Sequence, residues 1–366
     1  MKAKVNAKEF IQALDKVSGL IRKSVIPALE AVLVKFEDNR CTLTATNLES
    51  WLSMEVFAQC DDFAFLLGRP RETARAFRQF DGELVLEQTE TGEGAKRKIC
   101  LTLSCGPRSA ELFPFLPEDF PEQPKWEPRH TFTANAAELY ARVERVRYAA
   151  GAPGQEHHRA FQSSIQFSGR NIYTVDGYRL SCDADPELTV PVPFMASPQT
   201  LGHLKLFGDQ RVTFRLGQLF ASVTDGVTAL TFRMPEGELF KLHSAVPDSF
   251  QTEFDVSPKD FLNELDYLKR SLRGNTRHTV RFSSGGLFAS SQGERYASRV
   301  QTDGNADVTF GFDLSYMADA LKQFEKEPAV RMKLNSPHGP LVIKADGRND
   351  YALVTLARIR DSAAAA

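Results

Sequence analysis

Apolar residues recur at helical spacing behind a polar cap three times along this chain. Asn135 precedes Leu139, Val143, Val146 and Ala150, which fall on one face of an α-helix, and Glu138 stands three residues after the cap. Asn6 and Glu9 introduce Phe10, Leu14, Val17 and Ile21 in the same way. Ser257 and Asp260 introduce Phe261, Leu265, Leu268 and Leu272. Pro258 takes the first helical position there, where its missing N–H costs nothing. One capped amphipathic helix could arise by chance. Three at near-equal spacing are a repeat, with a period too long for a solenoid, so the pattern predicts three domains of one fold.

A second helix follows in each repeat, over 71–80, 198–207 and 314–324. Phe80, Phe207 and Phe324 take equivalent places, with Phe77, Leu204 and Leu321 three residues earlier. Alternating runs surround the helices. The hairpin-like stretches AVLVKFEDNRCTLTATN, SSIQFSGRNIYTVDG and HTVRFSSGGLFASSQG precede each second helix. Three strand-like runs follow it, such as ELVLEQ, KICLTLSC and SAELFPFL in the first repeat. The expected class is α+β, each domain two helices on antiparallel sheet. Linkers rich in Pro and charge near 121–130 and 245–252 place the domains at 1–124, 125–249 and 250–366.

Composition narrows the class. The 366 residues are 42% hydrophobic and 25% charged, as in an ordinary soluble protein, with no membrane-length apolar run and no signal peptide at the start. Five cysteines without a C-x-x-C argue against a disulfide framework or zinc site and suit a cytoplasmic location. The residues 362–366, SAAAA, read as a disordered tail.

Candidate chemistry is sparse. Glu156-His157-His158 resembles a metal or acid–base cluster, but adjacent histidines point different ways and lack an i, i+4 partner, so a solvated loop is the better reading. Cys182 has no base pattern and reads as a packed small hydrophobe. No nucleotide-binding or nucleophile-elbow motif occurs, which leaves no catalytic constellation, no metal and no cofactor. A hydrolase using Asp176 with His157 or His158 is the rival enzymatic reading; it needs folding to bring them together. Charge is more telling. The net charge is −2, yet the six helical stretches together carry more Lys and Arg than Asp and Glu. Such segregation can be a solvated helix face, or a lining that faces phosphate. Aromatic residues are not interleaved with these cations, which argues against base readout.

Short motifs now fall in order on the threefold repeat. They are Ile26-Pro27-Ala28-Leu29, Asn47-Leu48-Glu49, Glu118-Asp119-Phe120-Pro121, Val175-Asp176-Gly177-Tyr178-Arg179-Leu180 and Arg358-Ile359. With them the chain resembles, over nearly its whole length, the bacterial DNA polymerase III β subunit family, the sliding clamps. The resemblance implies a non-catalytic, head-to-tail homodimer closed into a ring. Such a ring encircles duplex DNA without regard to sequence. It tethers the DNA polymerase III α subunit and other proteins with clamp-binding motifs, and a clamp-loader complex closes it. The alternative it leaves is a clamp paralog that regulates clamp partners as a decoy.

By the same resemblance the partner-peptide groove involves Val175, Gly177, Tyr178, Arg179 and Leu180, then Phe240, Ser244, Ala245 and Val246. The closing segment adds Leu353, Val354, Thr355, Leu356, Ala357, Arg358 and Ile359. DNA-facing cations would be Lys23 and Arg71, supported by Lys16, Arg142, Arg145, Lys205, Lys269 and Arg270. Ala110 and Leu112 would meet Ser271 and Leu272 across the dimer interface. Tyr178 stands where the family commonly has histidine, and Thr355-Leu356 where it commonly has Met-Pro, which marks a divergent member whose partner peptides differ from the usual set or bind more weakly. Alanine and serine at the interface bury little area, so a weaker dimer than usual is expected.

Overall fold

A computed structural model describes residues 1–92, 97–152, 159–272 and 278–359. The three expected caps form. Asn6 accepts from the Glu9 N–H at 3.2 Å, Asn135 from Glu138 at 3.0 Å, and Ser257 from Asp260 at 3.2 Å. They start helices α1 (Ala7–Ser18), α3 (Ala136–Val146) and α5 (Pro258–Ser271). The predicted faces are the buried ones: Phe10, Leu14 and Val17, then Leu139, Val143 and Val146, then Phe261, Leu265 and Leu268 are all at most 2% exposed. Each such side chain contributes about 2 kcal/mol by leaving water.

The helices end earlier than their patterns. Ile21 lies beyond α1, and after α3 the chain tightens into a 3₁₀ turn, Arg147–Ala149. The second helices are shorter still: α2 is Pro70–Ala76, α4 is Pro198–Leu201 and α6 is Leu314–Lys322. Gly202, a poor helix former, follows α4, and the chain continues as 3₁₀ from Gly202 to Phe207. Phe80, Phe207 and Phe324 are buried in all three repeats.

Every strand pair among the described residues is antiparallel, and the class is α+β. The hairpin stretches pair as read. Ala31–Glu37 folds back on Arg40–Thr46 through Asp38 and Asn39, both at positive φ as a type I′ turn requires. The chain divides into two compact units, Met1–Glu138 with Gly202–Met234, and Leu139–Leu201 with Pro235–Ala366. The division runs through the second repeat, and strand pairing is the reason. In the first unit Thr228–Arg233 pairs with Ser50–Cys60, Leu230 opposite Leu52, so strands from the first and second repeats share one sheet. In the second unit Arg179–Ala184 pairs with Asp350–Thr355, Leu180 opposite Leu353, joining strands of the second and third repeats. A four-stranded sheet completes that unit, covered by a core that includes Phe261, Leu265, Met317 and Leu321. Glu156-His157-His158 and the SAAAA tail lie outside the described residues.

Candidate functional site

The expected groove lies in the second unit, where Asn171–Val175 turns into Arg179–Ala184. Asp176 builds this turn. Its carboxylate accepts from the backbone N–H groups of Tyr178 (2.9 Å) and Arg179 (3.0 Å) and from the Arg179 side chain (3.0 Å). Gly177 sits at φ +95°, a conformation that L side chains avoid. Asp176 is thus engaged by its own turn and by Arg179. Its proposed hydrolytic partners, His157 and His158, fall outside the described residues.

Arg179 leads away from the turn. It donates to Asp319 of α6 at 2.6 Å, and its guanidinium lies 4.7 Å from the Tyr316 ring centre and 5.7 Å from that of Tyr148. Tyr178 stacks on Tyr316 with ring centres 5.6 Å apart. The Tyr178 carbonyl accepts from both the N–H and the hydroxyl of Thr355, each at 2.8 Å. Thr355 therefore ties the closing strand to the turn. Tyr148, Tyr316 and Asp319 were not among the expected groove residues. The signal available was the i, i+3 spacing of Tyr316 and Asp319 on one helix.

Val175, Leu180 and Leu353 form an apolar floor, with Tyr173, Cys182 and Val342 beside them. Phe161, Phe240, Ala245 and Val246 pack around it, half-buried. The wall is pinned: Tyr173 donates its hydroxyl proton to the Phe240 carbonyl at 2.9 Å, and Gln166 accepts from the Phe240 N–H at 2.6 Å. Ser244 donates to the Lys241 carbonyl within the same wall. Alternation along the closing strand separates the rest. Val354 and Leu356 turn to the opposite face and pack with the core beneath α5 and α6. Ala357 bridges to Gly311, where a Cβ would meet the Ala357 carbonyl at 2.8 Å and Ile359 at 2.9 Å. Arg358 is exposed. Burial pushes the Cys182 thiol and the Tyr173 phenol each up to about 12, so both stay neutral near pH 7.

The expected DNA-facing cations divide by what they touch. In the first unit Lys16, Lys23 and Lys205 are exposed, with no ion pair among the described residues. Arg71 donates to the Ser18 carbonyl at 3.2 and 2.9 Å and to Ile21 at 3.3 Å, which caps the negative end of α1. His203 beside Lys205 has its pKa lowered, first by burial and then by the charges of Arg22 and Lys205. In the second unit Arg142 and Arg145 both clasp the fully buried Asp183, at 2.7 and 2.8 Å, and Arg142 also reaches Asp185 at 3.0 Å. Lys269 is exposed, and Arg270 pairs with Asp266 one turn back.

Of the expected interface residues, Ala110 and Leu112 lie on Arg108–Leu112, an edge strand of the first unit's sheet. They line a cavity of about 560 Å3 together with Leu67, Phe77, Phe113 and Phe115 and the charged Glu30, Arg69 and Glu72. Phe113, beside them, is 74% exposed and Phe115 50%. In the second unit, Leu272 is already packed into the core, and Ser271 donates back to the Tyr267 carbonyl. No group of three metal-ligating side chains occurs among the described residues.

Comparison with known proteins follows the same lines. Residues 1–120 match the family profile of the DNA polymerase III beta subunit, N-terminal domain. No curated protein matches by sequence. Among solved structures, the DNA polymerase sliding clamp from Caulobacter crescentus is similar over 98% of this chain and 100% of its own, with 17% identity and a TM-score of 0.84. The sliding clamp from Pseudomonas aeruginosa, solved with a ligand, is similar over 98% of this chain and 100% of its own, with 18% identity and a TM-score of 0.83. The fold of this chain is that of the sliding clamps, at low sequence identity.

Proposed function

We infer that this chain is a DNA sliding clamp, which acts by enclosing duplex DNA and tethering other proteins to it. The observation that carries this reading is a clamp fold over 98% of the chain, built on one capped helix that recurs after Asn6, Asn135 and Ser257. Three repeats, 1–124, 125–249 and 250–366, supply six helices per chain, and two copies paired head to tail close a ring. Pairing uses the edge strand at Ala110 and Leu112 against the region of Ser271 and Leu272.

The work is topological, so it needs no reacting group. Lys16, Lys23, Lys205 and Lys269 face the phosphates loosely and through water, which keeps sliding easy. The groove around Val175, Leu180, Phe240, Val246 and Leu353 receives a short apolar peptide of the DNA polymerase III α subunit, the clamp loader or other clamp-binding proteins. The protein works in the cytoplasm. No helix among the described residues is long and apolar enough to cross a membrane.

The test is polymerase processivity on primed circular single-stranded DNA with a clamp loader from the same source. Addition of this chain should lengthen products per binding event, and Val246→Glu should abolish that gain. No stimulation with a competent loader points to the second reading, a paralog that occupies clamp partners as a decoy. One observation favours that alternative: Arg71, Arg142 and Arg145 are engaged by the protein itself, which leaves fewer cations for DNA.

A further inference from the structure

The groove floor does not stop at Val175. Antiparallel register places Val175, Leu180, Leu353, Val342 and Lys333 opposite one another in one row across the sheet. The next row on the same face is Tyr173, Cys182, Tyr351 and Lys344. Two residues along a strand are about 7 Å, so the second row continues the floor of the first. Above it the wall from Phe240 to Phe250 roofs a cavity of about 770 Å3.

This cavity shares Tyr173, Phe240, Val246 and Val342 with the groove and differs from it in charge. Its apolar lining is interrupted by Lys241, His243, Lys333 and Lys344, and among the described residues that line it none carries a carboxylate. Lys333 is paired with Glu253 at 3.1 Å and lies over the Phe250 ring. Lys241 and Lys344 are exposed and have no ion pair among the described residues. An apolar floor under unpaired cations is complementary to an acidic segment that also carries an aromatic or aliphatic side chain.

We propose that this cavity is a second docking site, taking the acidic, aromatic-bearing flank of the same partner peptide whose apolar anchors fill the groove. The proposal rests on the groove reading. It assigns Lys241 and Lys344 a role in selecting partners. The flank's carboxylates meet the two ammonium groups while its ring lies against Tyr173 and Tyr351.

The test uses the full chain and fluorescent peptides that share one short core with leucine and phenylalanine anchors. One ends at the core, one adds glutamates and a phenylalanine, and one adds lysines and a phenylalanine, with the extension placed at either end. Anisotropy titration should rank the acidic extension about fivefold tighter than the basic one, the effect of two exposed ion pairs. Added salt should shrink the ratio. In a Lys241→Glu, Lys344→Glu double variant the ratio should invert, while the core peptide provides the internal reference for a folded groove. Core and both extensions binding alike would overturn the second site and leave the groove standing. No binding of any peptide to the unaltered chain would remove both. Tight binding of the acidic extension that persists in the double variant would assign it elsewhere.

Discussion

Arg179 and Asp319, 140 residues apart in the chain, meet at 2.6 Å. The contact fastens the turn at Tyr178 to helix α6, and it comes with two aromatic rings around the guanidinium. Replacing Arg179 by alanine leaves the buried Asp176 with only its backbone donors. We expect a stability loss of about 2–3 kcal/mol, read as a lower urea midpoint. Peptide binding in the groove should weaken as well, because Tyr178 loses the support beneath its stack. Lysine should not restore it, since an ammonium cannot serve Asp176 and Asp319 together while lying flat between two rings.

Asp183 is the corresponding anchor for Arg142 and Arg145. Asp183→Asn removes a fully buried negative charge from between two cations, and a loss of about 3–5 kcal/mol is expected in denaturant titration. A change near the noise would show that these arginines do not depend on it.

The same geometry sorts the cations for DNA. Lys23→Gln or Lys205→Gln should lower the slope of log affinity against log salt by about one per contact, with little change in stability. Arg142→Gln should do the reverse, keeping the slope and lowering the melting temperature. A slope change from Arg142→Gln equal to that from Lys23→Gln would show that the ion pairs open on DNA.

His203 gives a pH signature. Its folded pKa lies below the ordinary 6.5 because of burial and then of Arg22 and Lys205. The unfolded chain therefore binds more protons at mildly acid pH. The neutral imidazole's contribution is complete above the unfolded value and is lost as pH falls through the folded one. Between about pH 7 and pH 5.5 the native chain should lose more thermal stability than His203→Gln. Parallel melting curves would contradict this.

Self-association should turn on the edge strand. Ala110 offers little area, yet Phe113 and Phe115 next to it are exposed. Sedimentation velocity should show a dimer that dissociates on dilution, and Phe113→Asp should shift it to monomer at concentrations where the native chain is paired. A dimer that persists at nanomolar concentration would contradict the weak interface expected from Ala110 and Ser271.

Local features of this chain were legible from its residues. The caps at Asn6, Asn135 and Ser257 and the faces behind them need only spacing and a side-chain oxygen, and Asp38-Asn39 needs only a tolerance of positive φ. Which strand sits beside which was not legible. Period-two alternation tells Leu180 and Leu353 which way to face, but not that they, far apart in the chain, stand opposite each other in one sheet. The seam between Leu52 and Leu230 was hidden for the same reason. Alternation also shows why Val354 and Leu356 leave the groove that Leu353 enters: consecutive strand residues cannot share a face. The fates of Arg71, Arg142 and Arg145 depended on carbonyls and carboxylates brought close only by folding.

The claim beneath all of this is that the protein holds DNA by surrounding it. The direct measurement is retention of loaded, labelled chain on a nicked circular plasmid before and after a single cut that makes it linear. The account predicts long retention on the circle at moderate salt and rapid loss through the free ends once the DNA is cut. Equal retention on both forms, with both released alike by salt, would contradict it.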